Sequence, residues 1–296
     1  MYSQWIRIGW RLLRPPTLTA SITPVLVGTG LALQTHALRV GPFIAMLIAS
    51  MLIQAAANML NEYYDFRRGL DNKEMVGIAG TIVRDQVRPS IVLLITIITL
   101  LISLLLGIYI AATSSWWVAL AGVLSMSFLY LYSAGPHPIS YTPFGEMTSG
   151  ILMGPVIILI TYFIQTSTLT ASAVVASIPI GLLIGNILLA NNIRDIEHDH
   201  VGGRRTLPIV LGRTGGIRVL GAVFAAAFAI LILVVIFARV TPWALLAFLV
   251  VPVAAGVPRK FLTAQSSDDL QDAFKRTSAT LIGFGFLMFI GLVIGR

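Results

Sequence analysis

The sequence predicts an all-α, polytopic membrane protein with about nine transmembrane helices, organised as a single domain over residues 1–296. Three observations carry this expectation. Of the 296 residues, 57% are hydrophobic and only 11% charged, whereas a soluble domain carries about 25% charged residues. The apolar residues fall into stretches of about 20, the length a helix needs to cross the hydrocarbon core of a bilayer. No connecting stretch is long enough to fold as a separate soluble domain. Cysteine is absent, so disulfides and thiolate metal sites are excluded.

In chain order, spans are expected near 17–38, 40–62, 89–112, 115–133, 145–164, 173–194, 216–238, 241–258 and 275–295. Ahead of the first, Arg7, Arg11 and Arg14 recur at i, i+4 and i+7 among Trp and Leu residues, the pattern of a helix lying in the membrane interface. Pro15 and Pro16 and the Thr-rich start of the first span fit an anchored helix better than a cleaved leader. Trp116 and Trp117 mark the outer edge of the fourth span as part of an aromatic belt. With the N-terminus inside, all of the 20 basic residues except Arg39, Arg239 and Arg296 lie on the inner side, the bias of a cytoplasmic face. All 12 acidic residues fall on that side too. The expectation is therefore a multi-pass plasma-membrane protein whose site faces the cytoplasm. The net charge of +8 has no soluble basic domain on which to meet nucleic acid; anionic lipid headgroups and a phosphorylated substrate suit it better.

Within this apolar frame, two acidic segments stand at the inner ends of spans. Asn61 and Asp65 close the second span, with Asp71 beyond; Asn191, Asn192, Asp195 and Asp199 close the sixth. Asn61 and Asp65, like Asn191 and Asp195, are four residues apart and share one helix face. Ionisable groups in such positions are costly to desolvate and mark a substrate or ion site. In the second span Gln54, Asn58, Asn61 with Glu62, and Asp65 form a polar stripe. Any one amide there could simply glue helices together, but four in register leading to a carboxylate imply a hydrated cavity. On the sixth span Ser177, Gly181 and Gly185 make a close-approach face below the acidic end, which packing alone would also explain.

Inner loops 63–88, 195–215 and 258–274 are long and charged, whereas 111–115 and 165–172 outside are short. The first carries Gly77, Gly80, Arg84 and Asp85, and the second Gly202, Gly203, Arg204, Arg205 and Thr206. Glycine lets backbone amides approach an anion, and arginine grips phosphate through two bonds at once. Loops 63–88 and 195–215 therefore read as a cytoplasmic cap over an anionic headgroup, although ordinary basic inner loops would look similar. Carboxylates spaced along a helix suit Mg²⁺, which keeps positions open for water and phosphate oxygens. Asp65 with Asp71, and Asp195 with Asp199, could each support one ion that neutralises a departing diphosphate. The four histidines show no three-ligand zinc pattern, and His198 and His200 read as solvated loop residues. Tyr63, Tyr64, Phe128, Tyr130, Tyr132, Tyr141 and Phe144 cluster near the inner ends of the second, fourth and fifth spans, where ring faces could meet a developing cation.

Asn61-x3-Asp65-x5-Asp71 with Asn192-x2-Asp195-x3-Asp199 resembles the two aspartate-rich motifs of the UbiA superfamily of intramembrane prenyltransferases. LRPPTLTASITPVLVGT (13–29), QAAANMLNEYYDFRRGLDN (54–72), GIAGTIVRD (77–85), YSAGPHPISYTPFGEMTSGILMG (132–154) and NNIRDIEHDHVGGRRTLPIVLG (191–212) look like the branch of that family acting on 1,4-dihydroxy-2-naphthoate. The resemblance implies a nine-helix bundle around a central cavity, Mg²⁺ as cofactor, and a polyprenyl diphosphate whose tail leaves into lipid. It implies that Asn61, Asp65, Asp71, Asn192, Asp195 and Asp199 form the metal–diphosphate site, the four aspartates holding the metal. Arg67, Arg84 and Arg205 would hold phosphate oxygens; Gln54, Asn58, Tyr130, Tyr132 and Arg194 would also face substrate. Prenyl transfer with loss of carbon dioxide would give demethylmenaquinone. Some members carry a lysine where this chain has Pro136, four residues after Tyr132, with His137 beside it. The acceptor alternatives are a 4-hydroxybenzoate, a homogentisate or a tetrapyrrole. A cation-coupled transporter is the rival of another class; it would place carboxylates near mid-membrane, whereas these all sit at one face.

Overall fold

The computed structural model describes residues 2–70 and 80–296. Asp71 and Gly77 lie outside the described residues. The elements are α1 (Tyr2–Leu13), α2 (Pro15–Leu33), α3 (Val40–Arg67), α4 (Thr81–Arg84), α5 (Pro89–Thr113), α6 (Trp116–Ser133), α7 (Gly145–Thr166), α8 (Ala171–Arg194), α9 (Ile196–Val201), α10 (Leu207–Phe237), α11 (Pro242–Thr263) and α12 (Ser267–Ile294). Nine of these, among the described residues, are long and apolar enough to cross a membrane: α2, α3, α5, α6, α7, α8, α10, α11 and α12. All nine expected spans are present.

The differences lie at the ends. The seventh helix begins at Leu207 rather than near 216, because Pro208 suits a first turn and Gly212, at φ 73° and ψ 158°, absorbs a kink that joins two helical pieces. The ninth begins at Ser267 rather than 275, where Ser266 and Asp269 exchange hydrogen bonds as a capping box. The third element runs on to Arg67, so Asp65 stands on regular helix rather than in a loop. Loop 195–215 is likewise largely helical, holding α9 and the start of α10. In each case hydropathy marks the portion inside the bilayer, while the helix continues into water on its own backbone bonds. The first span is shorter than expected, ending at Leu33. The eighth opens as a 3-10 helix over Pro242–Val250. Pro252 has no N–H to offer Phe248, and the Val251 N–H takes that carbonyl instead.

Helices α2, α7, α8, α10, α11 and α12 share the principal buried core, with Ile180, Leu183, Ile184, Leu220, Leu231, Leu281 and Phe284 almost wholly enclosed. Helix α8 runs through its centre. Its small-residue face meets α7 closely: a Cβ on Gly150 would fall 2.8 Å from the Gly181 carbonyl oxygen, and one on Gly185 would fall 3.1 Å from that of Glu146. Lipid offers no hydrophobic drive between helices, so such close approach supplies dispersion contact instead. The π-turn Leu152–Val156 around Pro155 lets α7 bend while keeping this contact. Helices α5 and α6 stand at the periphery with Leu101, Leu105, Leu120 and Leu124 turned outward. Between them and α2, α3, α7 and α8 lies a cavity of about 320 Å³.

Candidate active site

The cavity is apolar along most of its wall, from Met46 and Ala49 on α3 to Leu104 and Ile108 on α5 and Leu152 on α7. At its inner end the lining turns polar, with Arg14, Gln54, Asn58, Asn61, Tyr132, Ser133 and Asn191. The stripe on α3 thus faces the cavity, but its members do different work. Gln54 donates to the Asn58 side-chain oxygen at 3.2 Å. Asn58 donates to the Leu13 carbonyl at 3.1 Å and to Thr17 Oγ1 at 2.9 Å, fastening α3 to the start of α2. Asn61 accepts from Ser133 Oγ at 3.0 Å, which sets the end of α6 against α3. Glu62 turns away from the cavity and is buried. It accepts from the backbone N–H of Gly80 and Ile82 and from the Thr81 hydroxyl, with Arg14 at 3.4 Å, so it holds the returning end of the first inner loop.

Above the polar end the two acidic segments meet. Arg204, from the second inner loop, donates to Asp65 Oδ1 at 2.6 Å and to Asp199 Oδ1 at 2.9 Å. One guanidinium therefore joins a carboxylate of α3 to a carboxylate of α9. Burial works against the Arg204 charge, yet Asp65 and Asp199 outweigh it and raise its pKa above the usual arginine value. Burial pushes the Asp199 carboxyl up to about 6 against the opposing pull of Arg204. Asp199 Oδ2 is enclosed without a hydrogen-bond partner. Tyr141 carries two cations on its ring, Arg68 at 5.1 Å and Arg204 at 5.2 Å. Its carbonyl accepts from the Arg205 backbone N–H at 3.0 Å, fixing the second inner loop at this point.

The other predicted residues take varied places. Arg194 grips Asp195 with Nε at 2.7 Å and Nη2 at 2.6 Å, reaches Asn191 Oδ1 and Gln271, and lies over the Phe274 ring at 4.8 Å. Asn191 lines the cavity, whereas Asn192 turns to Glu146 and donates to its Oε1 at 2.9 Å. Tyr132 lines the cavity beside Gly145. Tyr130 is exposed and meets Tyr64 edge-to-face at 6.4 Å. Arg67 and Arg205 are exposed, Arg84 is half-buried behind Gly80, and His137 is exposed. Arg68 is bound to the Ser133 and Gly135 carbonyls at 2.8 and 3.1 Å. His198 and His200 stand on α9 rather than on a loop, half-buried and exposed respectively.

Sequence reading passed over Arg204 in favour of its neighbour Arg205 and gave Glu146 no role. A basic pair does not say which member points inward, and a single Glu ahead of an apolar span has no periodic partner to mark it. Among the described residues no three carboxylates or imidazoles are gathered as a metal cage. Mg²⁺ is usually held by one or two carboxylates, with waters and phosphate oxygens completing the shell. Asp65 and Asp199 converging on one cation, one of them with an unpartnered buried oxygen, fit that requirement.

A helical bundle with nine candidate spans among the described residues, enclosing an apolar chamber roofed by carboxylates and guanidiniums, is the architecture of an intramembrane enzyme for a substrate with a greasy tail and an anionic head. The chain belongs to the UbiA prenyltransferase family, whose pattern matches residues 21–292. It is 47% identical to a 1,4-dihydroxy-2-naphthoate octaprenyltransferase of Bacillus subtilis (strain 168), over 97% of this chain and 93% of that one. It is 27% identical to the Mycobacterium tuberculosis (strain ATCC 25618 / H37Rv) protein of the same description, over 100% and 98% of the two chains. Among solved structures, the fold resembles a UbiA homolog from Aeropyrum pernix K1 (TM-score 0.69, 18% identity, 92% of this chain and 97% of that one). It also resembles a UbiA homolog from Archaeoglobus fulgidus bound to DMAPP and Mg²⁺ (TM-score 0.65, 18% identity, 95% and 99%). The protein is a membrane prenyltransferase.

Proposed function

We propose that this enzyme transfers a polyprenyl group from polyprenyl diphosphate to 1,4-dihydroxy-2-naphthoate, with loss of carbon dioxide, in menaquinone biosynthesis. The observation that carries the mechanism is the meeting of Asp65 and Asp199 at Arg204, over the mouth of an apolar cavity. The extent of identity with the Bacillus subtilis enzyme supports the naphthoate as acceptor. Asp65, Asp195 and Asp199, with Asp71 as the fourth expected ligand, would hold Mg²⁺. When bound, the ion neutralises the charge that builds on the departing diphosphate. The cap expected from inner loops 63–88 and 195–215, of which 71–79 lie outside the described residues, would cover a site facing the cytoplasm, in the cell membrane.

The chain's own residues then divide the work. Arg204 is released from the aspartates as they take up their ligand and turns to the phosphate oxygens, joined by Arg84. Asn61 and Asn191, on opposite walls, orient the headgroup. The cavity wall keeps water from the allylic carbon while its bond to the diphosphate oxygen breaks. The ring face of Tyr132 stabilises the positive charge left on that carbon. A carbon–carbon bond then forms from the electron-rich acceptor ring. The carboxylate departs as carbon dioxide, its bonding pair returning to the ring, and the diphosphate leaves with the electrons of the broken bond. The described acidic residues lie in the connecting segments or within about a turn or two of a helix end, and none lies in the middle of a candidate span, which favours this reading over cation-coupled transport.

The test incubates purified protein with Mg²⁺, a labelled prenyl diphosphate and a panel of acceptors: 1,4-dihydroxy-2-naphthoate, 4-hydroxybenzoate and homogentisate. Labelled product and carbon dioxide are expected with the naphthoate. Product with hydroxybenzoate alone would overturn the acceptor and retain the family chemistry.

A further inference from the structure

A second cavity, of about 290 Å³, lies apart from the active site between α1, α3 and α5. Ile8, Gly9 and Leu12 of α1 form one wall, Ala55 and Met59 of α3 a second, and Ile95 of α5 the third. Its lining is almost wholly apolar. Helix α1 carries no acidic residue; Trp5, which also lines the groove, is 56% exposed, and Ile6 and Trp10 are exposed at 63% and 60%. Tryptophan on an amphipathic helix seats at the level of the lipid headgroups, so the groove opens where the upper part of a lipid chain lies. Charge at its inner rim is positive. Arg11 is committed to Asp85 at 2.6 Å, which offsets that carboxylate's charge. Arg7, 3.6 Å from the same carboxylate, keeps 60% of its side chain exposed, and Arg88, next to the groove-lining Val87, is exposed.

We propose that this groove is a binding site for one acyl chain of an anionic phospholipid, whose phosphate is held by Arg7 and Arg88. The apolar groove takes the tail, and the rim supplies the charge complement for the headgroup. Gly9 is central to the fit, because a Cβ there would meet nothing within 4 Å and the groove keeps its width.

The experiment is native mass spectrometry of the whole protein, released from detergent with equal amounts of phosphatidylglycerol and phosphatidylcholine. Wild type is expected to retain one phosphatidylglycerol at least about fivefold over phosphatidylcholine, the ratio that about one kilocalorie from a single one of the two arginines supports. Gly9→Leu should fill the slot and lower that adduct at least about fivefold. Gly256→Leu, at another glycine with open space around it, should not. Arg7→Gln with Arg88→Gln leaves the slot unaltered and should erase the headgroup preference. Prenyl transfer by each variant reports that it is folded. Equal retention by wild type and Gly9→Leu would overturn the site. Equal retention of both lipids by wild type would overturn the anionic assignment. Displacement of the adduct by added farnesyl diphosphate would give the groove to the substrate tail instead.

Discussion

The two acidic segments look like echoes of one another in sequence, yet they are built into the molecule differently. In the first, the amide and the carboxylate both look outward from α3: Asn61 accepts from Ser133 of α6, and Asp65 accepts from Arg204 of the second inner loop. In the second, Arg194 binds Asn191 and Asp195 locally and reaches Gln271 and Phe274 of α12, while Asn192 and Asp199 reach Glu146 and Arg204. The amide and carboxylate of the first segment depend on partners from elsewhere in the chain, whereas in the second Arg194 also ties Asn191 and Asp195 together locally. The same residue types therefore give one half of the site that is assembled wholly from distant partners and one that is partly tied locally. Arg204 is the point where they join.

If Asp65 and Asp199 are equal partners in holding the metal, Asp65→Asn and Asp199→Asn should each lower turnover by at least about 10³-fold in protein of unchanged elution and melting behaviour. Chelation of divalent metal should abolish transfer and added Mg²⁺ restore it. A variant at either position with wild-type turnover would break the symmetry and the metal assignment together. The role of Arg204 toward the phosphate oxygens predicts a smaller loss, about 10²-fold for Arg204→Lys. A lysine keeps the charge but cannot hold phosphate through two parallel bonds, so steady-state kinetics should show the deficit at saturating metal.

Asn192 and Glu146 support the second segment from behind, as groups that orient a ligand commonly do. Asn192→Ala or Glu146→Gln should cost about tenfold in turnover, with a raised Mg²⁺ requirement. An unchanged metal titration curve would assign the pair to packing alone. The smallest effect is expected at Ser133→Ala, which removes one partly buried hydrogen bond worth about 1 kcal/mol. It should slow transfer by about fivefold or less and leave metal dependence untouched, because Asn61 keeps its place on α3.

Most of the fold was legible because the bilayer imposes a length and a polarity that a sequence must display. Hydropathy located all nine spans, and the alternation of amphipathic and apolar runs separated α1 from α2. It misplaced helix ends at 207 and 267, since charged turns outside the membrane look like loops to a hydropathy reading. Within the candidate site, the i, i+4 spacing marked which carboxylates share a face. It could not mark Asn58 as a fastening to Thr17, nor separate Arg204 from Arg205, since both depend on which atoms another helix brings near.

What the sequence by itself determined is the solvent the chain lives in, the number and order of its spans, and the face on which its ionisable groups gather. These follow from local composition and from the cost of burying charge in hydrocarbon. The tertiary structure alone decided that Asp65 pairs across the bundle with Asp199 through Arg204, that Glu62 and Glu146 serve as internal anchors, and that α1 leaves a groove against α3 and α5. Those outcomes depend on side chains meeting at hydrogen-bond distance between helices far apart in sequence, and local pattern does not specify that register.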